Sequence, residues 1–297
     1  MKIKHLYVIV LLVTVLLIAG CANNTDICMV EDVIEVEGGK YTCSYEGVKH
    51  DFILNFPQTV ENAPLILMLH GYGESAESLK SKTAFDKDAN ESGYVVAYVT
   101  GAPNPEDSTS ARGWNSGISL SGNNDVDFLK GLKYYLCKTY KLDASRAYVV
   151  GFSNGAFMTH RLALEANDTF AAVVSVAGMM PESIWENRPQ EVDISVFQIT
   201  GQKDDVVPKN SDGSAKYSKA PAIEDVIEYY VNANALSLMD SETIGKKSEL
   251  TKYTDKDKSN QVWDLFIPDT SHSWPDERLT GININRLILE FLNNQQN

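Results

Sequence analysis

Ala147-Tyr148-Val149-Val150-Gly151-Phe152-Ser153-Asn154-Gly155-Ala156-Phe157-Met158 passes from an unbroken apolar run into good helix formers through a Gly-x-Ser-x-Gly turn. The first four residues read as a short buried strand. Residues 156–166, with Phe157, Leu162 and Leu164, read as a helix. A serine at so sharp a strand-to-helix turn has its hydroxyl pushed clear of the backbone, the placement a nucleophile needs. Gly151 and Gly155 leave room where a Cβ would strike the neighbouring strand or helix. A Ser between two Gly is otherwise only a turn; here the flanking strand and helix make Ser153 a candidate nucleophile.

A serine hydroxyl is a weak nucleophile at neutral pH and needs a base beside it. For a nucleophile on this kind of turn, the acid and then the histidine follow downstream in the chain. The histidines are His5, His50, His70, His160 and His272. His5 falls in an N-terminal apolar segment, His50 reads as a surface residue on an early strand, and His160 as a packed histidine on the helix after Ser153. Only His272 lies far enough downstream, in the loop Thr270-Ser271-His272-Ser273-Trp274-Pro275 between a strand at 261–267 and the last helix. A buried strand at 194–200 leads into Gly201-Gln202-Lys203-Asp204-Asp205-Val206-Val207-Pro208. A carboxylate there is placed to fix the imidazole's tautomer, and Asp204 and Asp205 both qualify by position.

Acyl transfer also needs donors aimed in advance at the developing oxyanion. The Asn154 N–H, directly after the nucleophile, is one candidate. The other comes from the loop His70-Gly71-Tyr72-Gly73, which follows the apolar run at 65–69, and Tyr72 N–H is its expected donor. By chain order His70 is structural.

The chain resembles the extracellular esterases that include feruloyl esterases and polyhydroxybutyrate-depolymerase-like enzymes. The resemblance rests on Leu69-His70-Gly71 with the next glycine, Gly113-Trp114-Asn115, Asp125-Val126-Asp127-Phe128-Leu129, the elbow from Val150 to Thr159, Gly201 to Asp204 with Val207-Pro208, and His272-Ser273-Trp274-Pro275. These run in family order from about Gly38 to about Leu292. The resemblance implies an α/β-hydrolase fold and an esterase activity, with Asp204, third after Gly201, as the acid. Two departures touch loops beside the acyl pocket. Ser116-Gly117-Ile118 stands where many relatives carry cysteines, and the polar stretch 240–260 has no family counterpart.

Met1-Lys2-Ile3-Lys4 followed by an apolar run at 6–19 reads as a secretion signal, too short to span a bilayer. Ile18-Ala19-Gly20-Cys21 resembles a bacterial lipobox, in which Cys21 takes a diacylglyceryl group. The expected organisation is a lipoprotein signal over 1–21, a tether over 22–37 and one catalytic domain over 38–297, held outside the cytoplasm through the lipid on Cys21. The formal net charge is −14, and removal of Lys2 and Lys4 with the signal takes it to −16. That balance opposes nucleic acid, which binds basic patches, and long-range repulsion disfavours polyanionic substrates. Cys28 and Cys43 form a candidate disulfide in an oxidising compartment, and Cys137 reads as a core thiol on a helix. No zinc-type spacing, His-Glu-x-x-His or Gly-x-Gly-x-x-Gly is present, so neither a metal nor an organic cofactor is expected.

Strands are expected at 48–56, 65–69, 94–99, 146–150, 171–176, 194–200 and 261–267. Helices are expected near 75–92, 125–140, 156–166, 222–234 and 282–293. Their alternation implies a mainly parallel sheet with helices on both faces, and a site at the carboxyl ends of the strands. Tyr72 and Trp114 are candidate substrate-binding aromatics. Trp274 reads as a buttress for His272, and Arg112 as a solvent-facing loop residue. The expected function is serine carboxylesterase action on hydroxycinnamoyl or other short acyl esters of plant polysaccharide. Acetylxylan or short polyester hydrolysis is the alternative within the same chemistry, with peptide hydrolysis further off. A non-catalytic glycan-binding lipoprotein is the alternative of a different class.

Overall fold

Continuous apolar strands need cover on both faces, and that need organises the computed structural model of this protein, which describes residues 29–103, 110–118, 122–209, 220–257 and 259–295. In chain order the elements are β1 (Glu31–Glu37), β2 (Lys40–Tyr45), β3 (Val48–Asn55), β4 (Leu65–Leu69), α1 (Ala76–Thr83), α2 (Phe85–Glu91) and β5 (Val95–Thr100). There follow α3 (Asp125–Tyr140), β6 (Ala147–Phe152), α4 (Asn154–Glu165), β7 (Ala172–Val176), α5 (Glu182–Glu186) and β8 (Ser195–Gly201). The last are α6 (Ile223–Ala233), β9 (Leu238–Ile244), β10 (Ser248–Thr254), β11 (Val262–Ile267), α7 (Glu277–Thr280) and α8 (Ile284–Asn293).

The strands form one sheet in the order β1-β2-β3-β5-β4-β6-β7-β8-β11-β10-β9. The six from β5 to β11 pair in parallel, and antiparallel strands extend both edges. Side chains alternate across the sheet. Leu65, Leu67, Leu69, Ala147 and Val149 enter a core closed by α3, α4 and α6. Ile66, Met68, Tyr148, Val150 and Phe152 enter the opposite core under α1, α2 and α8. The mainly parallel sheet with helices on both faces is therefore as expected.

Several local readings need correction. The helix expected at 75–92 breaks at Ala84, whose φ of 44° is left-handed. The break turns Phe85 into the core, and Thr83 Oγ1 accepts the Phe85 N–H at 3.3 Å. Residues 31–37, assigned above to a tether, are β1, paired with β2. The polar stretch 240–260 contains most of the β9–β10 hairpin, joined to β11 through Leu250 opposite Leu265. β1 and β9 are exposed on both faces, so neither carries the apolar alternation that marks a strand in sequence. His50 is buried rather than at the surface, stacked on Phe128 with ring centroids 3.6 Å apart. The expected signal, Cys21 and Cys28 lie outside the described residues, and Cys43 is a buried free thiol. Among the described residues no helix is long and apolar enough to cross a membrane.

Candidate active site

β6 delivers Ser153 into a backbone conformation (φ 53°, ψ −116°) that side-chain-bearing residues rarely adopt. The packing around it holds the strain in place. Ser153 N–H donates to Val176 O at 3.0 Å. A Cβ on Gly151 would run into the Gly155 carbonyl, and one on Gly155 into the Leu69 carbonyl, so both neighbours must be glycine for strand and helix to approach this closely. α4 starts at Asn154, whose N–H has no partner within the helix by its position.

β8 and β11 lie side by side and parallel, so the loops after them meet at the same edge of the sheet. They are packed tightly: Lys203 N–H donates to Thr270 O at 3.0 Å, and a Cβ on Gly201 would strike that same carbonyl. This contact brings Asp204 to His272. His272 Nδ1 lies 2.8 Å from Asp204 Oδ2, and His272 Nε2 lies 2.9 Å from Ser153 Oγ. With its hydrogen on Nδ1, the imidazole donates to the carboxylate and accepts the serine hydroxyl. Asp204 Oδ1 accepts from the N–H groups of Val206 and Val207 at 2.9 and 2.7 Å, which aims the buried carboxylate. Asp205 points to solvent.

The loop after β4 closes the other side. Gly71 lies against the nucleophile, where an added Cβ would sit 3.3 Å from Ser153 Cβ. His70 is fully buried; its Nε2 accepts the Gly101 N–H at 2.9 Å, so Nδ1 carries the hydrogen and donates to Gly71 O at 2.6 Å. Burial pushes this imidazole down to about 4, so it stays neutral and ties the ends of β4 and β5 together. Glu74 accepts the Gly71 N–H at 3.3 Å and is ion-paired with Lys82, whose Nζ sits 4.3 Å from the Phe152 ring centroid. Tyr72 remains partly exposed beside the site, with its ring over Gly113.

Trp114 has a different place from the one expected of a substrate-binding aromatic. Its ring is completely buried, tilted against His70, and its Nε1–H donates to His70 O at 2.9 Å. The indole therefore holds the loop beneath the site and offers no face to a ligand. Arg112 is likewise engaged, with Asp51 at 3.5 Å and Gly101 O at 3.3 Å.

Three supports had gone unread in sequence. The Asn154 amide clasps Trp114 and donates to Ser116 Oγ at 3.1 Å. The Glu74–Lys82 pair braces the loop after β4. Asp125, buried at the start of α3, accepts the Asn115 N–H at 2.6 Å, and burial pushes its carboxyl up to about 6. An asparagine, an ion pair and a helix-start aspartate all have ordinary surface readings, so spacing alone carried no signal. Among the described residues, no group of three or more His, Cys, Asp or Glu is placed to hold a metal ion.

The model of a family described as "Serine hydrolase (FSH1)" matches residues 60–229. Among curated proteins, the chain is 34% identical over 157 residues to a putative esterase, NocK, of Nocardia uniformis subsp. tsuyamanensis, covering 51% of this chain and 43% of that protein. It is 26% identical over 163 residues to the bifunctional acetylxylan esterase/xylanase XynS20E of Neocallimastix patriciarum (54% and 22% covered). It is 32% identical over 127 residues to feruloyl esterase B of Neurospora crassa (41% and 42% covered). The chain thus spans less than half the length of these relatives. Among solved structures it resembles the acetyl xylan esterase of Aspergillus awamori, with TM-score 0.57, 13% identity and 82% and 94% of the two chains covered. The Bacillus cereus carboxylesterase is similar at TM-score 0.51 and 15% identity, with 81% and 93% covered. Likeness at these identities concerns the fold, whereas the sequence match extends over more than half of the chain. A serine on a strained strand-to-helix turn, a parallel sheet beneath it and that match together place the chain in the FSH1 family of serine hydrolases, with an α/β-hydrolase fold.

Proposed function

We propose that the protein is a serine carboxylesterase in which Ser153, His272 and Asp204 form the catalytic triad. The observation that carries the reading is the continuous path from Ser153 Oγ to His272 (2.9 Å) to Asp204 (2.8 Å), anchored on the strained turn. Ser153 Oγ attacks the ester carbonyl while His272 Nε2 takes its proton, and Asp204 stabilises the imidazolium. The backbone N–H groups of Asn154 and Tyr72 receive the oxyanion. The carbon–oxygen bond to the alcohol then breaks, and the alcohol leaves with the proton from Nε2. Water, deprotonated by His272, adds to the acyl-enzyme; Ser153 leaves with the proton and the carboxylic acid is released.

The proposed substrates are hydroxycinnamoyl or other short acyl esters of plant polysaccharide. The names of the feruloyl and acetylxylan esterase relatives support that class. Behind the nucleophile a third apolar cluster, separate from the two sheet-face cores, packs Phe157 of α4 with Met179, Val207 and Ile118 and supports α4 beside the loop that carries Asp204. Acetylated xylan is the second reading, favoured by the relatives that carry that name. Tyr72, partly exposed beside Gly113, is the proposed aromatic contact for the acyl group. Export and attachment to a bacterial membrane through a lipidated Cys21 are proposed from Ile18-Ala19-Gly20-Cys21.

The test is hydrolysis by a soluble form starting at Ala22 beside its Ser153→Ala variant, on methyl ferulate, p-nitrophenyl acetate and butyrate, acetylated xylan and a peptide amide. Ferulate turnover lost in the variant is the expected result. Activity confined to acetyl or butyryl esters would keep the chemistry and reassign the acyl group. Identical behaviour of the two proteins on every substrate would leave the non-catalytic glycan-binding lipoprotein as the better account.

A further inference from the structure

A groove of about 420 Å³ opens beside His272, between the loop that carries it, the end of α1 and the start of α8. Its walls include His272, Trp274, Lys82, Glu277, Asn283 and Asn285. We propose that this groove binds the alcohol portion of the ester as an uncharged sugar ring, with Trp274 as the surface on which the ring stacks. The proposal rests on the esterase reading for its orientation and goes beyond it in assigning a second binding region and its ligand chemistry.

Orientation follows from the proton. The leaving alcohol oxygen must come within hydrogen-bond reach of His272 Nε2, because that nitrogen returns the proton when the acyl–oxygen bond breaks. The alcohol therefore lies on the imidazole side of Ser153, and His272 itself is part of this groove's wall. Tyr72, the proposed contact for the acyl group, comes from the loop after β4 and does not line this groove, which leaves the groove free for the second half of the substrate.

The lining chemistry selects the ligand. A sugar ring presents C–H faces, which pack on an aromatic plane, and a rim of hydroxyls, which need short polar partners. Trp274 is only half-buried, and its indole is locked in place by Nε1–H donation to Asn285 Oδ1 at 3.1 Å. Asn285 is itself held, through Nδ2, by the carbonyl of Thr83 at 3.0 Å. The platform is thus built before any ligand arrives, which lowers the ordering cost of binding. Around it stand Ser273 and Asn283, both lining the groove.

Charge then separates a sugar from a hydroxyacid. Lys82, the cation of the groove, is ion-paired with Glu74, and Asp276 is ion-paired with Arg278 at 2.6 Å. Glu277 stands exposed on the rim and leaves the local balance negative. An alcohol carrying a carboxylate, such as the end of a polyester chain, is repelled there, whereas a neutral sugar is not.

The binding half of the proposal is tested without turnover. A neutral xylo-oligosaccharide is titrated into the Ser153→Ala protein while tryptophan fluorescence is followed, and again with Trp274→Leu added. Saturable quenching that disappears with Trp274→Leu is expected; no saturation, or saturation that survives the change, overturns the proposal. The orientation half uses two esters of one acid, a sugar ester and the methyl ester. The sugar ester is expected to have the higher kcat/KM by about tenfold or more, with the ratio collapsing toward one in Trp274→Leu. Glu277→Lys, at an exposed position, is expected to raise turnover of an ester whose alcohol bears a carboxylate relative to the methyl ester. Ratios that are near one in the natural protein, or that neither variant moves, overturn the assignment of the alcohol to this groove. If no ester at all is turned over, the esterase reading fails, and the titration still decides whether the groove binds sugar.

Discussion

Asn154 holds Trp114 by both ends of its amide: Oδ1 accepts the Trp114 N–H at 2.7 Å, and Nδ2 donates to the Trp114 carbonyl at 3.3 Å. The residue proposed to offer its backbone N–H to the oxyanion thus uses its side chain to fasten the loop beneath the site. Replacing it with Ala keeps the N–H and releases the loop. Asn154→Ala is expected to lower kcat by about 10- to 100-fold, the scale of small misplacements around a reacting group. Leaving the buried Trp114 N–H unpaired should cost about 1–3 kcal/mol of stability. Ester kinetics and urea unfolding on the same protein check both; an unchanged kcat would show that the clasp does not position the site.

Asp204 and Asp205 are adjacent in sequence and opposite in environment. Only Asp204 is buried against His272 with its second oxygen held by two backbone N–H groups. Asp204→Asn is expected to lower kcat by on the order of 10⁴-fold, as loss of a triad acid does, while Asp205→Asn changes it less than threefold or so. Equal losses, measured on p-nitrophenyl butyrate, would reassign the acid.

Gly155 lies against the backbone of β4, where a Cβ would overlap the Leu69 carbonyl. Relief requires moving either α4 or the central sheet. Gly155→Ala should therefore destabilise the protein by about 3 kcal/mol or more, seen as a lower urea midpoint at unchanged slope. A midpoint within error of the natural protein would mean that the helix can retreat from β4.

His160 is fully buried, with Nε2 donating to Gln198 Oε1 at 3.1 Å and Nδ1 accepting from Tyr230 O–H at 3.2 Å. Burial pushes its pKa down to about 4 from an ordinary 6.5. The unfolded chain takes up this proton first as pH falls, so the contribution is full above pH 6.5 and is lost progressively down to about pH 4. The loss amounts to about 3 kcal/mol when complete. The difference in unfolding free energy between pH 7 and pH 5 should be smaller in His160→Gln than in the natural protein. The same difference in both would show that His160 does not contribute to acid lability.

Legibility tracked burial. β4, β6, β7 and β8 were readable because strands covered on both faces are apolar throughout, and their ends fell within a residue or two of the expected positions. β1 and β9 were not, because an exposed edge strand is specified by its hydrogen-bonded neighbour and needs no apolar face of its own. Ala84 could not announce the break between α1 and α2, since alanine is among the best helix formers and the turn is imposed by Phe85 seeking the core. At the site, chain order and the Gly-x-Ser-x-Gly turn pointed to Ser153 and His272 as candidates, and the structure brings them within 2.9 Å. Trp114 shows the opposite case. An aromatic next to a glycine in a loop reads alike whether it faces a ligand or the interior, and only the packing against His70 settles it.

By itself, then, the sequence determined the period of burial and the turn at Ser153, because both depend on residues close together in the chain. Residue order left Asp204 and Asp205 both open, and only the family resemblance favoured Asp204; the tertiary structure brings Asp204 to His272, and it alone decided which tryptophan is sealed in and which borders a groove. Each of those depends on loops brought together over long stretches of chain: Asp204 and His272 meet because β8 and β11 lie side by side, and no local pattern encodes that neighbour.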